Sequence, residues 1–312
     1  SRASALRMPP QAGSTKWWPC RMLDTECAST TTSGMLADTA VVMWGSLALF
    51  TTLTGRIPPF QLVAMSFTVA FALALAKWLL CGERPLAHAR YPAPVWLLGV
   101  GGLFGYHFFY FMALRNAPAV DASLIAYLWP LLIVMFSGLA HGGVRLHHLA
   151  GALLGLAGAW LVISRRGALA PDPAHALGYA AAAACALIWS AYSVANRRHA
   201  AAPVDVVTVA CGATALCGVL AHVLFEETTS VEPGEWLAVG LLGLGPVGAA
   251  FFLWDHGTKH GNVPLLGVLA YVAPVLSTLF LVIGGIEPFS WMLGAAALLV
   301  AGGAALASRT AR

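Results

Sequence analysis

From residue 37 to residue 307 the sequence alternates apolar stretches of about 20 residues with short turns that carry charge, proline or glycine. A helix rising about 1.5 Å per residue needs that length to cross a hydrocarbon layer of about 30 Å. Inside such a layer a chain must satisfy its own backbone, which leaves helices and closed barrels as the available folds. Stretches at 37–54, 58–80, 94–114, 119–139, 146–164, 175–197, 204–225, 234–256, 263–283 and 290–307 predict ten transmembrane helices in an all-α polytopic membrane protein. Only 17 Lys plus Arg and 13 Asp plus Glu occur among 312 residues, of which 59% are hydrophobic, so a water-solvated globule is excluded. The net charge of +4 is carried in short loops, where it reports orientation and not a nucleic-acid partner.

Residues 1–36 hold Arg2, Arg7, Lys16 and Arg21, the pair Pro9-Pro10 and a Ser/Thr cluster without an apolar run. They are expected to be a disordered or cloning-derived tail and not a signal peptide, with Met8, Met22 and Met35 as candidate starts. With ten crossings, the side that holds both termini carries 13 Lys and Arg, among them Lys77, Arg84, Arg90, Arg145, Arg197, Arg198, Lys259, Arg309 and Arg312. The other side carries four, Arg56, Arg115, Arg165 and Arg166, beside the acidic cluster Glu226, Glu227, Glu232 and Glu235. Basic loops stay inside, so both termini are expected in the cytoplasm.

The chain repeats itself. Ala126-Tyr127-Leu128-Trp129-Pro130-Leu131-Leu132 matches Ala270-Tyr271-Val272-Ala273-Pro274-Val275-Leu276 at an offset of 144. Gly105 and its aromatic neighbours match Gly248-Ala249-Ala250-Phe251-Phe252 at 143, Gly151 matches Gly294 at 143, and Trp44 matches Trp189 at 145. One repeat is five stretches long, 37–164 and 175–307, and because five is odd the second copy enters the membrane upside down. Two inverted five-helix repeats are the architecture of alternating-access carriers, whose substrate sits between the copies.

The polar aromatics inside these stretches mark the expected site. Tyr106, His107 and Tyr110 fall at i, i+1 and i+4 near the middle of the third stretch, on one broad helix face with Gly99, Gly102 and Leu103. An ionisable side chain at that depth is costly and points to function, and histidine, neutral above a reference pKa of about 6.5, is the least costly. It could accept a hydrogen bond from a substrate ammonium or carry a proton; the competing reading is a ring satisfied by its own helix. Pro130 and Pro274 each remove an amide hydrogen and free the carbonyls of Ala126 and Ala270, so both are candidate hinges. Tyr127 and Trp129 precede one break, Tyr271 occupies the equivalent place at the other, and Trp44 and Trp189 are equivalent on stretches 1 and 6. Such rings could cage a planar or cationic side chain; each alone could also be ordinary packing. Pro246 adds a further kink.

Ten stretches in two copies, with Ala-Tyr-x-x-Pro repeated in the fourth and ninth, resemble the drug/metabolite transporter superfamily in its EamA-type branch, over about residues 37–307. Within it, Tyr106-His107-x-x-Tyr110 followed by Tyr127-x-Trp129-Pro130 looks most like the bacterial aromatic amino-acid exporters. That resemblance implies an inner-membrane protein that exports Phe, Tyr, Trp and aromatic xenobiotics. Many members carry an arginine where Ser66 stands here, and its loss makes strongly anionic substrates less fitting.

The expected function is therefore a secondary transporter of aromatic or other neutral amino acids, with a small-molecule substrate and the bilayer as partners and no cofactor. Threonine- or homoserine-like amino acids, purine bases and drugs are the alternatives within transport, and proton antiport and facilitated diffusion both stay open. No Gly-x-x-x-x-Gly-Lys loop is present for ATP, and His-Glu-x-x-His and paired mid-span aspartates are missing, which leaves an intramembrane enzyme as the weaker class. Asp255, His256, His260 and His141, His147, His148 lack clean metal geometry, and the six cysteines show no zinc spacing or paired framework. Lys77 is expected to snorkel to the cytoplasmic interface. Gly101-x-x-x-Gly105 and Gly151-x-x-x-Gly155 permit close helix contact, mostly within the chain, so a monomer or weak dimer is expected.

Overall fold

A computed structural model describes residues 30–85, 90–140, 143, 145–164, 172–286 and 288–307. Cys20 and Cys27, His141, Arg165 and Arg166, and Arg309 and Arg312 lie outside the described residues. Every regular element among the described residues is a helix. In chain order they are α1 (Thr30–Gly45), α2 (Leu47–Leu53), α3 (Pro59–Leu80), α4 (Ala93–Asn116), α5 (Ala119–Ala126), α6 (Trp129–Ala140) and α7 (Leu146–Ser164). After them come α8 (Ala176–Asn196), α9 (Asp205–Phe225), α10 (Pro233–Leu244), α11 (Ala250–His260), α12 (Val263–Leu269), α13 (Val272–Ile283) and α14 (Trp291–Ala307). Eight helical stretches are long and apolar enough to cross a membrane, while Leu146–Leu161 and Trp291–Ala307 are apolar but shorter. The first helix begins at Thr30, inside the stretch expected to be tail.

Local chemistry sets the boundaries. Pro59 and Pro233 occupy the first helical turn, where no amide hydrogen is needed. Glu232 and Glu235 form a capping box on α10, and the Asn262 side chain caps α12 by accepting from Leu265 N at 3.2 Å. Gly55, Gly82 and Gly285, with φ of +57°, +68° and +71°, make the left-handed turns that end stretches 1, 2 and 9.

Four stretches are broken inside the bundle. The chain breaks between α5 and α6 at Tyr127–Leu128, and between α12 and α13 at Ala270–Tyr271. Each break lies about one turn before its proline, where the missing amide hydrogen is felt. Ala273 N takes up the Ala270 carbonyl at 3.1 Å. Pro246 sits in a π-helical turn, Gly245–Ala249, that joins α10 to α11. The break at Ser46, between α1 and α2, has no proline; Ser46 Oγ folds back on the Met43 carbonyl at 2.7 Å.

The helices pack chiefly across the two halves of the chain: α7 on α14, α4 on α8, α3 on α9 and α1 on α11. Glycine sets the first of these distances, because a Cβ on Gly151 would stand 2.5 Å from the Gly303 carbonyl and one on Gly158 2.9 Å from that of Ala296. Gly151 and Gly155 are thus consumed inside the chain, whereas a Cβ on Gly101 would meet nothing within 4 Å. Cys185, Cys211 and Cys217 are free, as expected, but Cys81 is disulfide-bonded, against the expectation of unpaired thiols.

Candidate functional site

Four indoles meet where α1, α6, α8 and α11 converge. Trp44 is the penultimate residue of α1, Trp129 opens α6 just after its break, and Trp189 and Trp254 lie inside α8 and α11. Ring centroids are 5.0 Å apart for Trp44 and Trp254, 5.6 Å for Trp44 and Trp189, 5.9 Å for Trp129 and Trp254, and 6.3 Å for Trp44 and Trp129. Most of these pairs are tilted or edge-to-face, the arrangement in which ring quadrupoles attract. The Trp44 indole N–H donates to the Pro246 carbonyl in the π turn at 3.0 Å, and that of Trp254 to Ser193 Oγ at 3.1 Å. Ser190 Oγ donates to the Trp129 carbonyl at 2.9 Å, beside the break.

His107 adjoins this group through Phe251 (6.1 Å) and Tyr106 (5.4 Å), with Phe67 at 5.2 Å on its other flank. Its Nδ1 lies 2.7 Å from the Leu103 carbonyl, which can only accept, so Nδ1 carries the hydrogen and Nε2 of the neutral ring is an acceptor. The reading of a ring satisfied by its own helix therefore holds for one nitrogen, and the other stays available for recognition. Tyr106 packs on Trp189 at 5.4 Å and stacks on Tyr110 at 5.9 Å with 7° between the planes. The Tyr106 hydroxyl lies beside Cys185, and that of Tyr110 beside Ser123. Tyr127 stands near Tyr110.

Tyr106, His107, Tyr110, Tyr127, Trp44, Trp129 and Trp189 thus share one region. Tyr271 does not: it is fully buried in a separate cluster with Val134, Ala152 and Val275, against Gly155. The two breaks do come together, since a Cβ on Gly267 of α12 would stand 2.9 Å from the Pro130 carbonyl. Ser66 is neutralised by its own helix, with Oγ on the Leu62 carbonyl at 2.8 Å. Phe67, Tyr192, Phe251 and Trp254 belong to the same core and were not among the site residues expected from the sequence. For Trp254 and Tyr192 a signal existed, since each follows Phe251 or Trp189 by three residues and so shares its helix face.

Both ends of this region are closed by charge. At one end Lys259 Nζ lies 2.8 Å from Asp255 Oδ2, with both side chains nearly inaccessible to solvent, and donates to the Ala202 carbonyl at 3.0 Å. Asn196 Nδ2 donates to Asp255 Oδ1 at 2.9 Å. On the same end Lys77 pairs with Asp205 at 3.3 Å and Trp78 Nε1 donates to that carboxylate at 2.9 Å, so the partly exposed Lys77 ammonium is held by an ion pair. Burial, with Asp205 and Glu83 nearby, pushes the Tyr91 phenol up to about 12. At the other end the Glu226 carboxylate accepts the backbone N–H groups of Phe60 and Gln61 at the start of α3, at 3.0 and 3.1 Å. It also pairs with Arg115 at 2.9 Å and His222 at 3.0 Å, which ties α3, α4 and α9 together.

Helices of membrane length, broken beside prolines and converging on a buried aromatic centre supplied by both halves, define a polytopic helical membrane protein of the carrier type. The EamA-like transporter family matches residues 32–164 and again 176–309, and the chain belongs to that family. The aromatic amino acid exporter YddG of Ancylobacter novellus is 51% identical over 286 residues, covering 91% of this chain and 99% of that protein. A protein of the same name from Escherichia coli K12 is 27% identical over 201 residues, covering 62% of this chain and 68% of its own length. A solved crystal structure superposes with a TM-score of 0.85 at 50% identity, covering 90% of this chain and 98% of that one.

Proposed function

We propose that this chain exports aromatic amino acids across a bacterial inner membrane by alternating access, with Trp44, Tyr106, His107, Tyr110, Tyr127, Trp129 and Trp189 around the substrate. The four-indole centre beside His107 carries the reading. A substrate ring that enters it exchanges indole–indole contacts for contacts of the same kind, worth about 0.5–1.5 kcal/mol per pair, so entry costs little and stays selective for planar side chains. Indole faces favour the ammonium group, and His107 Nε2 can accept from it. The 51%-identical relative, named an aromatic amino acid exporter, supports the same substrate class.

The motion is a rocking of two inverted five-helix halves, 37–164 and 175–307, across ten crossings in which α7 and α14 supply the fifth and tenth. The packing pattern supports this. Exchanging the halves turns the α4–α8 contact into α11–α1 and returns α7–α14 and α3–α9 to themselves, as a pseudo-two-fold axis requires. Pro130 and Pro274 serve as hinges, both termini face the cytoplasm, and the carrier works as a monomer or weak dimer. Transport, not catalysis, is its activity, and it needs no cofactor. In liposomes the purified protein should accelerate flux of labelled Phe or Trp, and Trp129→Ala should lower that flux at least about tenfold, a loss of about 1.4 kcal/mol at the transition state. Flux equal to that of empty liposomes for every aromatic amino acid would refute the substrate assignment.

A further inference from the structure

The aromatic centre meets the ring and the ammonium, yet a free amino acid must reach that centre with its carboxylate and its ammonium both matched, since neither can be left unmatched away from water. Beside the centre lies a narrow cleft, the size of a water molecule, between α4, α8, α9 and α11, lined by Leu98, Tyr192, Asn196, Val207, Asp255 and Lys259. Two helical ladders connect it to the indoles. On α8, Trp189 leads to Tyr192, 5.1 Å away, and on to Asn196; on α11, Phe251 and Trp254 lead to Asp255 and Lys259. The span from Trp189 to Asn196 is about 10 Å, within the reach of one aromatic amino acid and its approach.

We infer that Asp255 and Lys259 form a subsite for the zwitterionic head of the exported amino acid, on the side from which it is loaded. In the described conformation the two side chains neutralise each other at 2.8 Å. An entering zwitterion replaces that single pair by two: its carboxylate takes Lys259 Nζ, and its ammonium takes Asp255 Oδ2. Net charge in the cleft stays zero throughout, so the exchange adds no unpaired buried ion. Asn196 keeps Oδ1 occupied and holds the Asp255 carboxylate in place during the exchange. Val207 and Leu98 give the side chain an apolar path toward Trp189. The subsite rests on the amino-acid reading of the centre and adds to it the group that selects for a free α-amino acid over a bare ring.

The test reads binding apart from transport, as thermal shifts of the purified full chain titrated with phenylalanine, phenethylamine, phenylpropionate and phenylethanol. Lys259→Met should weaken phenylalanine and phenylpropionate by about tenfold or more and spare phenethylamine; Asp255→Asn should weaken phenylalanine and phenethylamine and spare phenylpropionate. Where a lone buried charge prevents a single variant from folding, the neutral double variant Asp255→Asn/Lys259→Met decides: it should lose phenylalanine and keep phenylethanol. Equal weakening of all four ligands, unchanged phenylalanine binding, or no binding of any ligand to the native protein each overturns the subsite. Charge-selective binding without flux in liposomes would uphold the subsite and refute transport.

Discussion

His107 is held through one ring nitrogen and offered through the other. With Nδ1–H fixed on Leu103 and rings from Phe67, Phe111, Tyr106 and Phe251 around it, the role we propose for it is to accept a hydrogen bond from the substrate. His107→Ala should therefore lower aromatic amino-acid flux by a similar factor with and without an imposed pH gradient, measured in sided proteoliposomes. A gradient effect present in the native protein and absent from the variant would instead make the ring a proton carrier. Trp44 carries a different test. Its N–H is the partner of the Pro246 carbonyl, so Trp44→Phe keeps an aromatic ring but should cost about 1–3 kcal/mol in thermal stability. Tyr106, His107 and Tyr110 were legible as polar rings in the middle of an apolar stretch, Trp129 by its place beside Pro130, and Trp44 and Trp189 as partners at the repeat offset. Phe67 and Trp254 sit in apolar runs that give no such signal. Repeat equivalence with Tyr127 predicts the place of Tyr271 on a helix, while its surroundings depend on Gly155, which leaves room for its ring in a different cluster.

Among the elements, the prolines announced three of the four breaks, because a missing amide hydrogen is a local property that sequence carries directly. Their offset to one turn earlier, and the π turn at Pro246, depend on what the freed carbonyls find, which sequence does not carry. The break at Ser46 rests on a serine turned back on its own helix, a conformation that serine adopts only in some contexts. Helix contacts mediated by glycine divide in the same way. Gly151→Ala should drive a methyl group into the Gly303 carbonyl and destabilise the protein by about 1–3 kcal/mol, read as a fall in melting temperature. Gly101→Ala, with open space around it, should be neutral or slightly stabilising in the same measurement. The two motifs read alike as small-x-x-x-small pairs, and only the packing separates them.

For the whole molecule, the all-helical class and the duplication were legible, the family model matching the chain twice, because hydrophobic length and internal repetition are one-dimensional properties. Which helix packs on which was not. The proposed orientation rests on loop charge and can be checked with single cysteines in a background freed of the native ones. Ala201→Cys, in the basic turn after α8, should react with a membrane-impermeant reagent only in opened cells, and Ser230→Cys, in the acidic turn after α9, in intact cells with a permeable outer membrane. The packing across halves also bears on how the chain is made. The surfaces of α1 and α4 that meet α11 and α8 belong to the half translated first, while their counterparts are still being synthesised. Until α8 emerges from the ribosome, Tyr106 has no indole to rest on, and until α11 does, His107 lacks one of its walls. Translation arrested in the turn between the halves thus leaves an unmated template, ready to be cleared by membrane proteases or to pair with a separately supplied second half.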